Sequence, residues 1–149
     1  MGPMGDLKRR AELIRVIQAQ GGVVPDRPRP VVSIEDFFTG NAEQASIGPN
    51  LTNHPGIAVF ERVLRQLRER AEVQEVLLAI AEVVEEEGFT DWPFADVVII
   101  MASSSAQEIA HHLRELRPDK VGEGWGPASR SPHAPEAQAG MQVFFAWWD

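Results

Sequence analysis

Glu72-Val-Gln-Glu-Val-Leu-Leu-Ala-Ile-Ala-Glu-Val-Val84 is the stretch on which the fold turns. Val76, Leu78, Ile80 and Val84 alternate, with Glu82 breaking the apolar set, as one face of a strand does. Val73, Val76, Leu77, Ile80, Val83 and Val84 also fit a helical stripe, with Glu72, Glu75, Glu82 and Glu86 opposite. Local propensity favours helix, because Ala, Leu and Glu dominate. The flanks favour strand. A helical pattern has just ended near Arg70, and the turn-rich Glu87-Gly-Phe-Thr-Asp-Trp-Pro-Phe94 leads straight into another apolar run. Residues 73–84 are therefore read as a strand paired with residues 96–102.

Downstream, Asp96-Val-Val-Ile-Ile-Met-Ala102 is almost unbroken in its apolar character, as a strand buried on both faces is. Ser103, Ser104 and Ser105 offer N-caps, with Glu108 placed as in a capping box. Ile109, His112, Leu113 and Leu116 share a face of the helix that follows, which Pro118 ends. Residues 118–140 are rich in Gly, Pro and Ser and read as a long connection. Met141 to Trp148 reads as a last strand, with Val143, Phe145 and Trp147 on one face and Phe144 and Trp148 on the other. One of these faces packs on helices; the other is an exposed aromatic patch unless the N-terminal helix or a second copy in a homodimer covers it.

Upstream, Asp6 caps a helix over residues 6–20 that Gly21-Gly22 stops, and three prolines in Val24–Pro30 read as a linker. Val31-Val-Ser-Ile34 is a short strand, residues 39–56 are a long polar loop, and Ile57, Phe60, Val63, Leu64, Leu67 and Ala71 recur at helical spacing behind Pro55. The order after the first helix is β-α-β-β-α-β. This predicts an α+β fold, a ferredoxin-like βαββαβ sandwich with an extra N-terminal helix. The organisation that follows is an N-terminal helix and Pro-rich linker over residues 1–30 and a single α+β domain over residues 31–149.

Composition narrows the function classes. The 149 residues carry 14 Lys+Arg against 22 Asp+Glu, a formal charge of −8. Residues 1–30 hold six basic and three acidic side chains, net +3, and residues 31–149 hold eight and 19, net −11. The acidic balance speaks against nucleic-acid binding, and the last strand lacks the Arg/Lys-Gly-Phe/Tyr motif of RNA-binding sheets. No export signal and no apolar run of membrane-spanning length is visible, so a soluble cytoplasmic protein with no membrane association is expected. With no cysteine, thiol and iron–sulfur chemistry are excluded. Adjacent His111 and His112 point about 100° apart on a helix, and no His-x3-His, Glu-x-x-His or Asp-x-Asp-x-Asp-Gly pattern occurs, so no metal or cofactor is expected. Twelve of the 14 basic residues are Arg, a composition that fits a bacterial source.

Two candidate sites remain. Glu72, Glu75, Glu82, Glu85, Glu86, Glu87, Asp91 and Asp96 form an acidic block without a basic residue. Such a block is either a solvated hairpin tip or a steering patch for a basic protein partner. Glu85, Glu86, Glu87, Asp91, Trp92 and Phe94 are the candidate partner-binding residues. Size and charge invite comparison with bacterial immunity and antitoxin proteins, an analogy that no motif carries. The alternative is a small enzyme, or an anion- or small-ligand-binding protein, using the 46–56 loop at a helix N-terminus. There Gly48, Asn50, Asn53 and His54 are the candidate ligand-binding residues, with His54 as the candidate general base.

Overall fold

The computed structural model describes residues 5–149; the first four residues of the N-terminal segment lie outside it. Helix α1 (Leu7–Ala19) leads to strand β1 (Val31–Ser33), α2 (Ile34–Phe38) and α3 (Ile57–Arg68). Strands β2 (Val73–Glu82) and β3 (Phe94–Ala102) form a hairpin, followed by α4 (Ala106–His112), β4 (Lys120–Glu123) and β5 (Gln142–Trp147). The result is a mixed α+β structure with a five-stranded antiparallel sheet in the order β1-β2-β3-β5-β4.

Residues 73–82 are extended and pair with β3, with Val76 opposite Ile100, Leu77 opposite Ile99 and Leu78 opposite Val98. The physical reason is burial on both faces. Val76, Leu78 and Ile80 join the helix-side core, whereas Leu77 and Ala79 join a second cluster on the other face. A helix has one apolar stripe; it cannot bury five consecutive side chains in two separate cores, so tertiary packing overrides helical propensity.

The ferredoxin-like layout is not confirmed. In that layout the first strand lies between the third and the last. Here Val31–Ser33 sits at the sheet edge, antiparallel to β2, and β3 pairs directly with β5. The approach to β1 explains the edge position. Pro28 and Pro30 have no N–H to give a two-sided ladder, whereas the Pro30 carbonyl accepts the Ile80 N–H at 2.9 Å. The strand is also shorter than expected, because the Ser33 hydroxyl accepts the Asp36 N–H and caps α2 from Ile34 onward.

Helix α1 is capped by Asp6 as expected, and Leu13 and Ile17 enter the helix-side core. Trp148 is buried in that core too. It packs on Phe60 at 5.6 Å between ring centroids and donates its indole N–H to the Leu116 carbonyl at 2.7 Å.

The opposite face, with Val143, Phe145 and Trp147, is not the one on which α1 packs. The 118–140 connection lies across it, placing Trp125, Ala128 and Ala134 against Val97, Ile99 and Phe145. This connection also contains β4, at the edge beside β5. Two glycines let it approach. A Cβ on Gly122 would stand 2.9 Å from Phe145, and one on Gly126, at φ +55°, would stand 2.6 Å from it. Cover for Phe145 is thus supplied from within the chain.

Candidate functional site

Glu82, Glu85, Glu86, Glu87 and Asp91 of the acidic block lie at the turn end of the β2–β3 hairpin, whereas Glu72 and Glu75 lie at the other end of β2. Glu85, Glu86 and Glu87 are exposed, and Phe89 beside them is 46% exposed. Asp91 is exposed and Phe94 is half-buried. A groove of about 310 Å³ opens next to them, lined by Glu43, Glu82 and Asp91 and by apolar Pro49, Val84 and Phe94. No sequence pattern marks Glu43, which the 39–56 loop delivers across 48 positions to Asp91. It is fixed there by the Trp92 N–H, which donates to its carboxylate at 3.1 Å. Partial burial pushes the Glu43 carboxyl above its ordinary range, and Asp91 adds to this, while the Trp92 N–H and Arg10 oppose it.

Trp92 itself is 4% exposed and donates its indole N–H to the Phe37 carbonyl at 2.9 Å. It nevertheless lines the groove beside Glu43, Asp91 and Phe94. An indole with its one donor satisfied inside the core is an anchor for the hairpin base. The remaining five partner-site residues surround it at the surface.

Two side chains of α1, one of them basic, meet this acidic end. Arg10 donates to the carbonyls of Asp91 and Val84 at 2.7 and 2.8 Å, and Gln18 donates to the Glu85 carboxylate. The charge contrast between residues 1–30 and the rest of the chain thus has a counterpart in space. Arg10 is spent on backbone carbonyls, and among the described residues Glu82, Glu85, Glu86, Glu87 and Asp91 enter no ion pair, whereas Asp96 is paired with Arg29.

The 46–56 loop is a structural junction. Asn41 donates to the Ser46 hydroxyl at 3.0 Å and accepts the Glu43 N–H at 2.9 Å, which organises the start of this polar segment. Gly48 is buried at φ +60°, and a Cβ there would meet Leu51 at 3.0 Å. Asn50 donates to the carbonyl of Asp149 at 3.0 Å, and Asn53, at φ +54°, turns its carbonyl to Arg117 at 2.9 Å. His54 uses both ring nitrogens. Nδ1 accepts the Gly56 N–H at 2.9 Å and Nε2 donates to the Ile47 carbonyl at 2.8 Å, so the Nε2–H tautomer is fixed. The ring also packs on Phe60 at 5.2 Å. Both ring nitrogens are thus engaged within the chain, which ties the loop to the start of α3.

Among the described residues, no group of three or more His, Cys, Asp or Glu side chains converges in a way that could hold a metal ion. No helix among them is long and apolar enough to cross a membrane.

Residues 8–146 match the model of a family described as "Uncharacterized protein YfbO family". The chain is 30% identical over 148 residues to "Uncharacterized protein YfbO" of Escherichia coli (strain K12), a match covering 98% of this chain and 100% of that bacterial relative. No solved structure matches.

Proposed function

We propose that this chain, which belongs to the YfbO family, is a cytoplasmic binding module that takes a basic segment of a protein partner at the acidic end of its β2–β3 hairpin. One observation carries the reading. Three carboxylates, Glu43, Glu82 and Asp91, border a groove whose other walls are apolar. A Lys or Arg side chain suits such a groove, because its apolar stem covers Pro49, Val84 and Phe94 while its charge lies beside the carboxylates. The raised carboxyl of Glu43 supports the same reading, since a cation brought close would favour its ionised form. Glu85, Glu86 and Glu87 project from the adjacent tip and contribute attraction at longer range. The engaged ring of His54 weighs against the small-enzyme alternative.

The test is a fluorescence-anisotropy titration with a labelled peptide of alternating Arg and Leu, and a Glu/Leu peptide as control. The basic peptide is expected to saturate the protein one to one, with affinity reduced about tenfold in Asp91→Asn or Phe94→Ala. Equal binding of both peptides, or no loss in either variant, contradicts the proposal.

A further inference from the structure

We infer that the opposite face of the sheet carries a second site, an open cleft for a small aromatic anion, formed where the Pro-rich linker meets the 129–137 segment. Two neighbouring cavities, of about 590 and 400 Å³, share Ser131 and Pro132 in their walls. Their size is that of small-molecule sites, roughly 300–1,000 Å³. The first has an apolar floor, with Met101 and Val143 from the sheet and the half-buried indole of Trp125 beside them. A flat apolar group fits there.

The charged rim sets the sign of the ligand. Arg130 lines the first cavity, and Arg27, Arg29 and His133 line the second. Arg29 is paired with Asp96. Arg27 and Arg130 enter no ion pair among the described residues, in a protein whose charge is −8 and whose other arginines are largely engaged with carboxylates or carbonyls. Among the described residues that line the two cavities, Glu136, in the first, is the one opposing charge.

A buried donor stands between the two cavities. Ser131 is 4% exposed; its hydroxyl accepts the His133 N–H at 3.1 Å and donates to no protein acceptor among the described residues. A hydroxyl so placed has a proton to give to a bound anion. An apolar slot, two arginines without carboxylate partners and a buried hydroxyl with a spare proton together describe a site for a flat apolar group bearing a phosphate or carboxylate.

The test uses the whole chain and 2-naphthyl phosphate as the probe, followed by isothermal titration calorimetry, with neutral 2-naphthol as the comparison. One-to-one binding of the phosphate is expected, with 2-naphthol at least about tenfold weaker. Arg27→Gln and Arg130→Gln should each weaken the phosphate about tenfold and leave 2-naphthol unchanged. Both side chains are exposed, so thermal unfolding of these variants should match that of the native chain, which keeps the test independent of folding. Ser131→Ala should weaken the phosphate further. Absence of saturable binding, equal affinity for 2-naphthol, or full binding by the Arg27→Gln/Arg130→Gln double variant would overturn the inference.

Discussion

Arg10 clamps the hairpin to the first helix by donating from Nε to the Asp91 carbonyl at 2.7 Å, across 81 positions of sequence. The same guanidinium reaches the Val84 carbonyl at 2.8 Å, so one side chain ties both arms of the acidic turn. Arg10→Ala should therefore destabilise the protein by about 1–2 kcal/mol, the range for hydrogen bonds from a charged donor in a partly exposed setting. Urea unfolding measures the loss. Hydrogen exchange should place the added mobility in residues 84–91, and unchanged exchange there would show that the clamp is dispensable.

His54 should behave as a structural residue. His54→Ala removes the acceptor of the Gly56 N–H and the donor to the Ile47 carbonyl, with an expected cost of about 1–3 kcal/mol. Basic-peptide binding should be retained in the folded variant. A variant as stable as the native chain would contradict the assignment.

Gly126→Ala should destabilise by about 2–3 kcal/mol, because its Cβ would stand 2.6 Å from Phe145 and its φ is +55°. Gly88→Ala makes the comparison, with φ +90° and nothing within 4 Å of the added Cβ. It should cost only the backbone strain, about 1 kcal/mol. Equal losses in the two variants would show that the cover over Phe145 is not tightly packed.

Two carboxylates should shift stability with pH in opposite directions. Hydrogen bonds from Arg68, at 2.5 and 2.7 Å, hold the Glu35 carboxyl at about 2 instead of 4.5. Its contribution is present above pH 4.5 and is lost as pH falls towards 2. The pair is partly exposed, so the contribution is under about 1 kcal/mol and shrinks with salt. Glu35→Gln should flatten stability in that window. Glu43, pushed upward, costs stability as pH rises through its range, so Glu43→Gln should raise the melting temperature at neutral pH while weakening the basic peptide. Urea titrations from pH 2 to 7 check both signs.

Much of the fold is legible in particular residues. Alternation of Val76, Leu78 and Ile80, the unbroken run Val97–Ala102 and the serines before α4 all lead to the observed elements. Strand order is not legible, because it depends on which edge a proline-flanked strand can occupy, and no local pattern states that. Strand β4 is hidden for a related reason. Lys120-Val-Gly-Glu123 has almost no β-branched character, and it is extended because Gly122 fits against Phe145. At the candidate site the acidic run Glu85–Glu87 is visible in the sequence. Glu43 is not, because a loop delivers it over a long separation, and the burial of Trp92 depends on the distant Phe37 carbonyl.

The most direct test of the binding proposal is the association rate of the Arg/Leu peptide, measured by stopped flow across ionic strength. Three proteins are compared: the native chain, Glu85→Gln/Glu86→Gln/Glu87→Gln, and Glu69→Gln/Glu123→Gln/Glu136→Gln, which loses the same charge from exposed sites elsewhere. The hairpin variant should fold normally, associate about tenfold more slowly at low salt and show a flatter salt dependence, while the charge-matched variant stays near the native rate. Equal slowing in the two variants would mean that only net charge matters, and an unchanged rate in the hairpin variant would mean that the acidic tip is a solvated edge; either result contradicts the account.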